Sequence, residues 1–348
     1  MSQPTIKDVS RLAGVSIGTV SNVVNGHPNI SKATRERVEN AISMLGYTPN
    51  RAAKSLRGQT GLLGYRMPDA SKLNSAMDVF LHRVVECAGS LGFEVLLFTP
   101  KPGQSELDAY REVLQRGGVD AFVLAGIEYD DPRVKFLEEA RVPFAAFGRT
   151  ASVTNGIAVD IDGAAGTKAA VEHLVRSGRE RIAFLGWPEG SLTGDERFAG
   201  WQSAIREAGL QFDESAVIRA EDSYETGSEI GPRLVADGFD AVVCVSDTFA
   251  LGVIAGLNRA GMVPGRDLAV VGFDDIAAAA LVEPGLSSIH QPMVQVGETL
   301  VTQLAHLIAG KSPAQSQILI EPRLVKRASS SPEQSRAVSS SPEQVRPT

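Results

Sequence analysis

The chain has 348 residues, 43% of them hydrophobic, which predicts two or three packed domains and excludes a disordered chain. Its formal charge is −7, yet residues 1–60 hold eight lysines and arginines against three acids, a net of +5 that leaves −12 for the rest. A basic head on an acidic body predicts that one part meets a polyanion and the other does not.

The head reads as three short helices. Thr5 caps the first, with Asp8 reaching back, and Ile6, Val9, Leu12 and Ala13 share one face. Gly14 supplies a tight turn, where a positive φ costs it little. Ser16 caps a second helix over 17–25, with Val20, Val23 and Val24 inward. Ser31 caps a third that ends near Gly46, with Val38, Ile42 and Leu45 inward. Two helices joined by a glycine turn and braced by a third make a helix-turn-helix over residues 1–49. Residues 50–60 read as a short helix and linker.

After Thr60 apolar runs alternate with helical segments. Strands are expected at 94–98, 121–125, 143–147, 157–160, 182–185, 241–245 and 268–272, and helices at 80–91, 107–115, 164–177, 197–208 and 248–260. Such alternation predicts doubly wound parallel sheets. The span 61–327 is too long for one sheet of ordinary size, so two similar lobes are expected, with seams near 160, 291 and 320. Residues 328–348 carry SSSPEQ twice, at Ser329–Gln334 and Ser339–Gln344, a composition that predicts a disordered tail.

Cys87 and Cys244 lie far apart in apolar surroundings and read as buried free thiols. The start of the chain lacks the apolar region of a secretion signal, and no run nears the roughly 18 apolar residues of a membrane helix. The expected location is the cytoplasm.

A recognition helix must show its N-terminal turns to the major groove. Here those turns carry Ile17, Gly18, Ser21 and Asn22. Asn bonds adenine in bidentate fashion and Ile contacts a thymine methyl. Ser16, Thr19, Asn25 and His27 are short groups suited to phosphates, and Thr5 joins this DNA-contacting set.

The stretch DVSRLAGVSIGTVSNVVNG, followed by ISKATRERVENAISMLGYTPNRAAKSLR, resembles the head of the LacI–GalR family of bacterial transcription regulators, and the resemblance continues through Arg327. It implies a helix-turn-helix head on an α/β body of two periplasmic-binding-protein-like lobes. It also implies that the segment from Asn50 to Arg57, with Ala53 and Leu56, is a hinge helix that folds on the operator. Leu56 would wedge into the minor groove between the charges of Lys54 and Arg57. The family usually has Arg where this chain has Asn22, and often a larger polar residue at Gly18, so altered base preference is expected.

A sugar site needs planar polar groups and an aromatic face, outside the carboxyl ends of parallel strands. Asp69, Arg149, Asp162, Trp187, Ser246, Asp247, Phe273 and Asp274 fit that placement, and Arg197 opens a predicted helix in GDERFAGW. The resemblance selects Arg197, in RFAGW, and Asp274, in VGFDD, as a pair gripping neighbouring hydroxyls. Asp247 reads equally well as a helix cap, and Trp187 as a lobe cover. The family's N-D-x-x-A-x-G element has Ser246 in place of Asn, and its N-P-F-F loop is Asn74-Ser75-Ala76-Met77 here, which predicts a roomier pocket and a glycoside larger than a monosaccharide.

The expected function is a repressor, homodimeric on a pseudo-palindromic operator, that answers to a sugar bound between two lobes. The alternatives are a sugar-binding transport component and a regulator with a purine-type corepressor. Phosphate loops, metal-spaced ligand sets and nucleophile elbows do not appear, so no catalytic residue, metal or cofactor is expected.

Overall fold

A computed structural model of the chain describes residues 4–24, 30–47, 60–68, 75–150 and 153–331. The head folds as α1 (Ile6–Ala13), α2 (Ile17–Val24) and α3 (Lys32–Leu45). Asp8 accepts from the Thr5 amide at 2.9 Å and from its hydroxyl at 2.7 Å. Gly14 ends α1 in the left-handed region, φ 62°, where a side chain would be strained. Ser16 Oγ accepts from the Thr19 amide at 3.0 Å and Ser31 Oγ from that of Thr34 at 3.3 Å, so both expected caps form. Val9, Val20, Val23, Val38 and Ala41 build the head's core. Leu12, expected on the inner face, is instead 51% exposed.

The body is two six-stranded sheets. The first runs β11 (Gln317–Ile320), β5 (Gly156–Ile161), β4 (Phe144–Phe147), β3 (Ala121–Leu124), β1 (Leu62–Arg66), β2 (Glu94–Phe98). The second runs β12 (Arg323–Val325), β10 (Ser287–His290), β9 (Ala269–Asp274), β8 (Ala241–Cys244), β6 (Ile182–Gly186), β7 (Val217–Arg219). Without its last strand each sheet has the same order, its second strand, then first, third, fourth and fifth. This is the doubly wound arrangement whose crevice lies at the carboxyl ends of the strands. The chain crosses between lobes after β5, after β10 and between β11 and β12.

Apolar strands explain why helices cover both faces. β3, β6 and β8 are buried at every position. Helices α4 (Ser75–Ser90), α5 (Glu106–Gln115), α6 (Pro132–Glu139) and α11 (Met293–Ile308) belong to the first lobe. The second lobe has α7 (Gly163–Arg176), α8 (Leu192–Glu207), α9 (Tyr224–Ala236) and α10 (Asp247–Arg259). Gly200 in α8 lets that helix close on α7: a Cβ there would stand 2.1 Å from the Ala164 carbonyl. Cys244 is buried as expected, whereas Cys87 is only half-buried.

The tail departs from expectation at its start. Ala328–Ser330 form a 3-10 turn, and Ser329 and Ser330 are fully buried. Ser329 Oγ accepts from the Ser287 amide at 2.8 Å and donates to the Val270 carbonyl at 2.7 Å. Ser330 Oγ lies 2.8 Å from His173 Nε2 and 2.7 Å from Ser287 Oγ. A serine-rich string folds here because its hydroxyls satisfy groups at the end of a sheet, a use that composition does not announce. The second SSSPEQ copy lies outside the described residues.

Candidate functional site

On the head, Ser16, Ile17, Gly18 and Asn22 are exposed along the first turns of α2, while Thr19 and Ser21 are half-buried. Capping fixes the direction of those turns, and burial of Val20 and Val23 fixes which face remains for a groove. Asn25, His27, Asn50, Ala53 and Leu56 lie outside the described residues, as does Asp69.

In the second lobe the ends of β6, β8 and β9 bring Trp187, Ser246 and Asp274 around Arg197, which projects from the second turn of α8. Thr167 Oγ1 on α7 donates to the Arg197 carbonyl at 2.7 Å and fixes this part of α8. The guanidinium is buried. Nη1 donates to the Val245 carbonyl at 2.5 Å and stands 3.9 Å from Asp274 Oδ1. Its carbon lies 3.6 Å from the centre of the Phe273 ring and 5.4 Å from that of Trp187. Nε is buried with no hydrogen-bond partner among the described residues. Such a donor costs about 1–3 kcal/mol when unsatisfied, and functional sites are where that cost recurs.

Asp274 sits in the left-handed region, φ 116°, a conformation that costs about 1–3 kcal/mol for a non-glycine residue. Burial pushes its carboxyl up to about 6, against the pull of Arg197 and of a hydrogen bond from Gln291 Nε2. Asp274 and Gln291 border a cavity of about 390 Å³ shared with Ala76 and Val79 of α4 and Met293 of α11.

The other candidates divide. Asp247 has no exposed surface, and its oxygens accept from Ser288 Oγ at 2.6 Å and the Ile276 amide at 2.9 Å, so its partners are internal. Ser246 Oγ caps α10 through the Phe249 amide and donates to Asp222 Oδ1 at 2.7 Å. Asp162 caps α7 through the Ala165 amide at 2.8 Å. Phe273 is fully buried beneath Arg197. Arg149, after β4, pairs with Asp160 at 3.2 Å and with Glu196 of the other lobe, so it bridges the lobes directly. Sequence reasoning missed Asp222, which also accepts from Trp187 Nε1 at 3.0 Å and so ties the indole to the end of β8. It follows a three-residue strand that no periodicity marks.

Burial, with the nearby Asp274 charge, raises the Asp247 carboxyl to about 8. The folded chain therefore holds a proton that the unfolded chain releases near its ordinary value of 3.8, and this group's contribution to stability falls as pH rises from about 4 to 8. The melting temperature of Asp247→Asn, followed from pH 5 to 8, should improve steadily relative to the parent. A constant offset between the two would contradict the buried, protonated carboxyl.

A helix-turn-helix with an outward recognition helix, followed by two lobes that converge polar groups on a crevice, defines a DNA-binding regulator with an effector body. Residues 5–50 match the family described as bacterial regulatory proteins, lacI family, and residues 171–330 match the periplasmic binding protein-like domain. The HTH-type transcriptional regulator CelR of Thermobifida fusca is 33% identical, over 94% of this chain and 98% of that protein. The solved transcriptional regulator CelR–cellobiose complex superposes with a TM-score of 0.70 at 32% identity, covering 94% of this chain and 99% of that one. The lac repressor dimer bound to operator and the anti-inducer ONPF gives 0.71 at 28%, covering 95% and 100%. The chain belongs to the LacI family of bacterial transcription regulators.

Proposed function

We propose that this protein is a homodimeric, cytoplasmic transcriptional repressor whose operator binding changes when a sugar binds between its lobes, and that it has no catalytic activity. Two heads are needed to read two half-sites, which is the reason for a symmetric dimer. The observation that carries the effector reading is Arg197: a buried guanidinium, seated on an aromatic ring beside Asp274, with one donor unanswered among the described residues. A fork of donors beside a carboxylate acceptor suits adjacent hydroxyls. The CelR complex with cellobiose supports a sugar as the ligand class. Arg149 serves in this reading as a bridge that reports closure of the lobes, and Asn22 with Ile17 as the base-reading pair.

The test is an electrophoretic mobility shift on the DNA upstream of the protein's own gene, at low salt, with and without a panel of neutral sugars. A retarded band that one sugar releases or strengthens supports the proposal. No band at low salt defeats the DNA reading, and a band indifferent to every sugar defeats the effector reading. Asn22→Arg, in a binding-site selection, should choose a different base at one symmetric position of each half-site, because arginine favours guanine and asparagine adenine. An unchanged selected operator would remove Asn22 from the base-reading set.

A further inference from the structure

We propose that the effector spans at least two sugar rings, that it is uncharged, and that its second ring is received by Tyr129 in a side cavity of the first lobe. This rests on the sugar reading above and extends it. The cavity measures about 750 Å³ and lies between the loop after β3, helix α6 and the N-terminal end of α8 at Leu192. That volume falls within the roughly 300–1,000 Å³ of pockets that enclose a small-molecule ligand.

Its position relates it to Arg197. Arg149 lines the cavity and pairs with Glu196, the residue before Arg197, and with Asp160, whose charge acts on Arg197. The Leu192 amide donates to Glu128 Oε2 at 3.0 Å, so the far lobe closes one end of the cavity. A ligand anchored at Arg197 would reach this cavity past the Arg149–Glu196 pair, at the N-terminal end of α8.

The lining fits a pyranose. Tyr129 is 54% exposed and lines this cavity, offering an aromatic side chain to it. Aromatic faces of this kind receive the C–H surface of a sugar ring while the phenol edge stays polar. The loop turns beside it at Asp130, φ 50°, a conformation that aspartate tolerates better than most residues. Asp130 and Lys135 line the cavity beside the ring and supply acceptors and a donor, whereas the Glu138 carboxylate accepts from Thr154 and Asn155. Acids outnumber bases along this wall, which repels a phosphate or uronate and leaves a neutral glycoside as the fitting class.

Isothermal titration of the full-length protein with glucose, galactose, cellobiose, maltose, lactose and glucose 6-phosphate tests this. One disaccharide should bind at least tenfold tighter than either monosaccharide, and glucose 6-phosphate no better than glucose. Tyr129→Ala should bring that disaccharide to within threefold of the monosaccharide while leaving monosaccharide affinity within twofold, and Tyr129→Phe should retain the gain. Equal affinity of monosaccharides and disaccharides, equal losses for both in Tyr129→Ala, or a preference for the phosphate would overturn the side-cavity proposal while leaving the Arg197 reading intact. Absence of binding by every sugar would defeat both.

Discussion

Arg197→Ala should lose effector affinity by at least about 100-fold while its DNA binding without effector stays within threefold. Each hydrogen bond from a charged donor contributes about 1.5–3 kcal/mol, and the loss of two exceeds the roughly 2.8 kcal/mol that a hundredfold change requires. The variant also leaves Asp274 buried without its counter-charge. Breaking a fully buried pair costs about 3–5 kcal/mol, but Asp274 already sits near 6 and escapes much of that cost by taking a proton. The folded body should therefore survive, with a lower melting temperature. Arg197→Lys should recover the charge and little of the affinity, because an ammonium lacks the planar fork. Calorimetry with the best-binding sugar measures the first quantity and a mobility shift the second. An effector affinity unchanged within threefold in Arg197→Ala would remove this residue from the site.

A chain ended after Ala328 should melt at least about 4 °C below one ended after Ser331. The three residues between those ends hold Ser329 and Ser330, whose hydroxyls bond the Ser287 amide, the Val270 carbonyl, the Ser287 hydroxyl and His173. The Ser329 amide also donates to the Gly285 carbonyl at 3.0 Å. Leaving two or three of these buried partners unanswered costs about 1–3 kcal/mol each, and in a domain of this size each kcal/mol shifts the midpoint by about 2–4 °C. The clasp carries a pH signature as well. Burial, then Lys326 and Arg176, hold His173 below its ordinary value of 6.5, so the unfolded chain takes up a proton that the folded one refuses. That part of the stability is present above pH 6.5 and declines as pH falls. Scanning calorimetry of the two truncations at pH 7.5 decides the matter, and coincident midpoints would show that the clasp contributes nothing.

The head was legible almost entirely from sequence, because caps and glycine turns act over three or four residues and leave local marks. Thr5 with Asp8, Ser16 with Thr19 and Gly14 all form as their spacing predicts. Leu12 was misplaced because helical spacing defines a stripe but not how far a three-helix core extends around it. In the body, long apolar strands such as β6 and β9 announced themselves. Strands β7 and β12 have three residues each, too few for any period, and β1 is interrupted by Gly64. Helix α9 was hidden by Gly227, Gly231 and the interior Pro232, which depress helix propensity while tertiary packing supplies the stability. The candidate site followed the same division. Positions after strand ends were readable, so Trp187 and Asp274 were named as candidates, and Arg197 came from the family-like RFAGW stretch on a helix. Whether a carboxylate there faces a ligand or an internal donor depends on distant partners. Ser288 and Ile276 claim Asp247, and Asp222 holds Trp187 and Ser246, and neither pairing leaves a trace along the chain.

The crossing pattern bears on synthesis. The first lobe's sheet is completed by β11 at Gln317–Ile320, and the second lobe's by β12 and the buried serines at 329 and 330. A ribosome adding about 5–20 residues per second needs roughly 15–60 s to reach β11, and until then the first lobe's sheet has an open edge at β5. Residues 317–331 finish both sheets. A translational stall in that stretch would leave two sheets on one chain, each without its last strand and with an edge open to pairing.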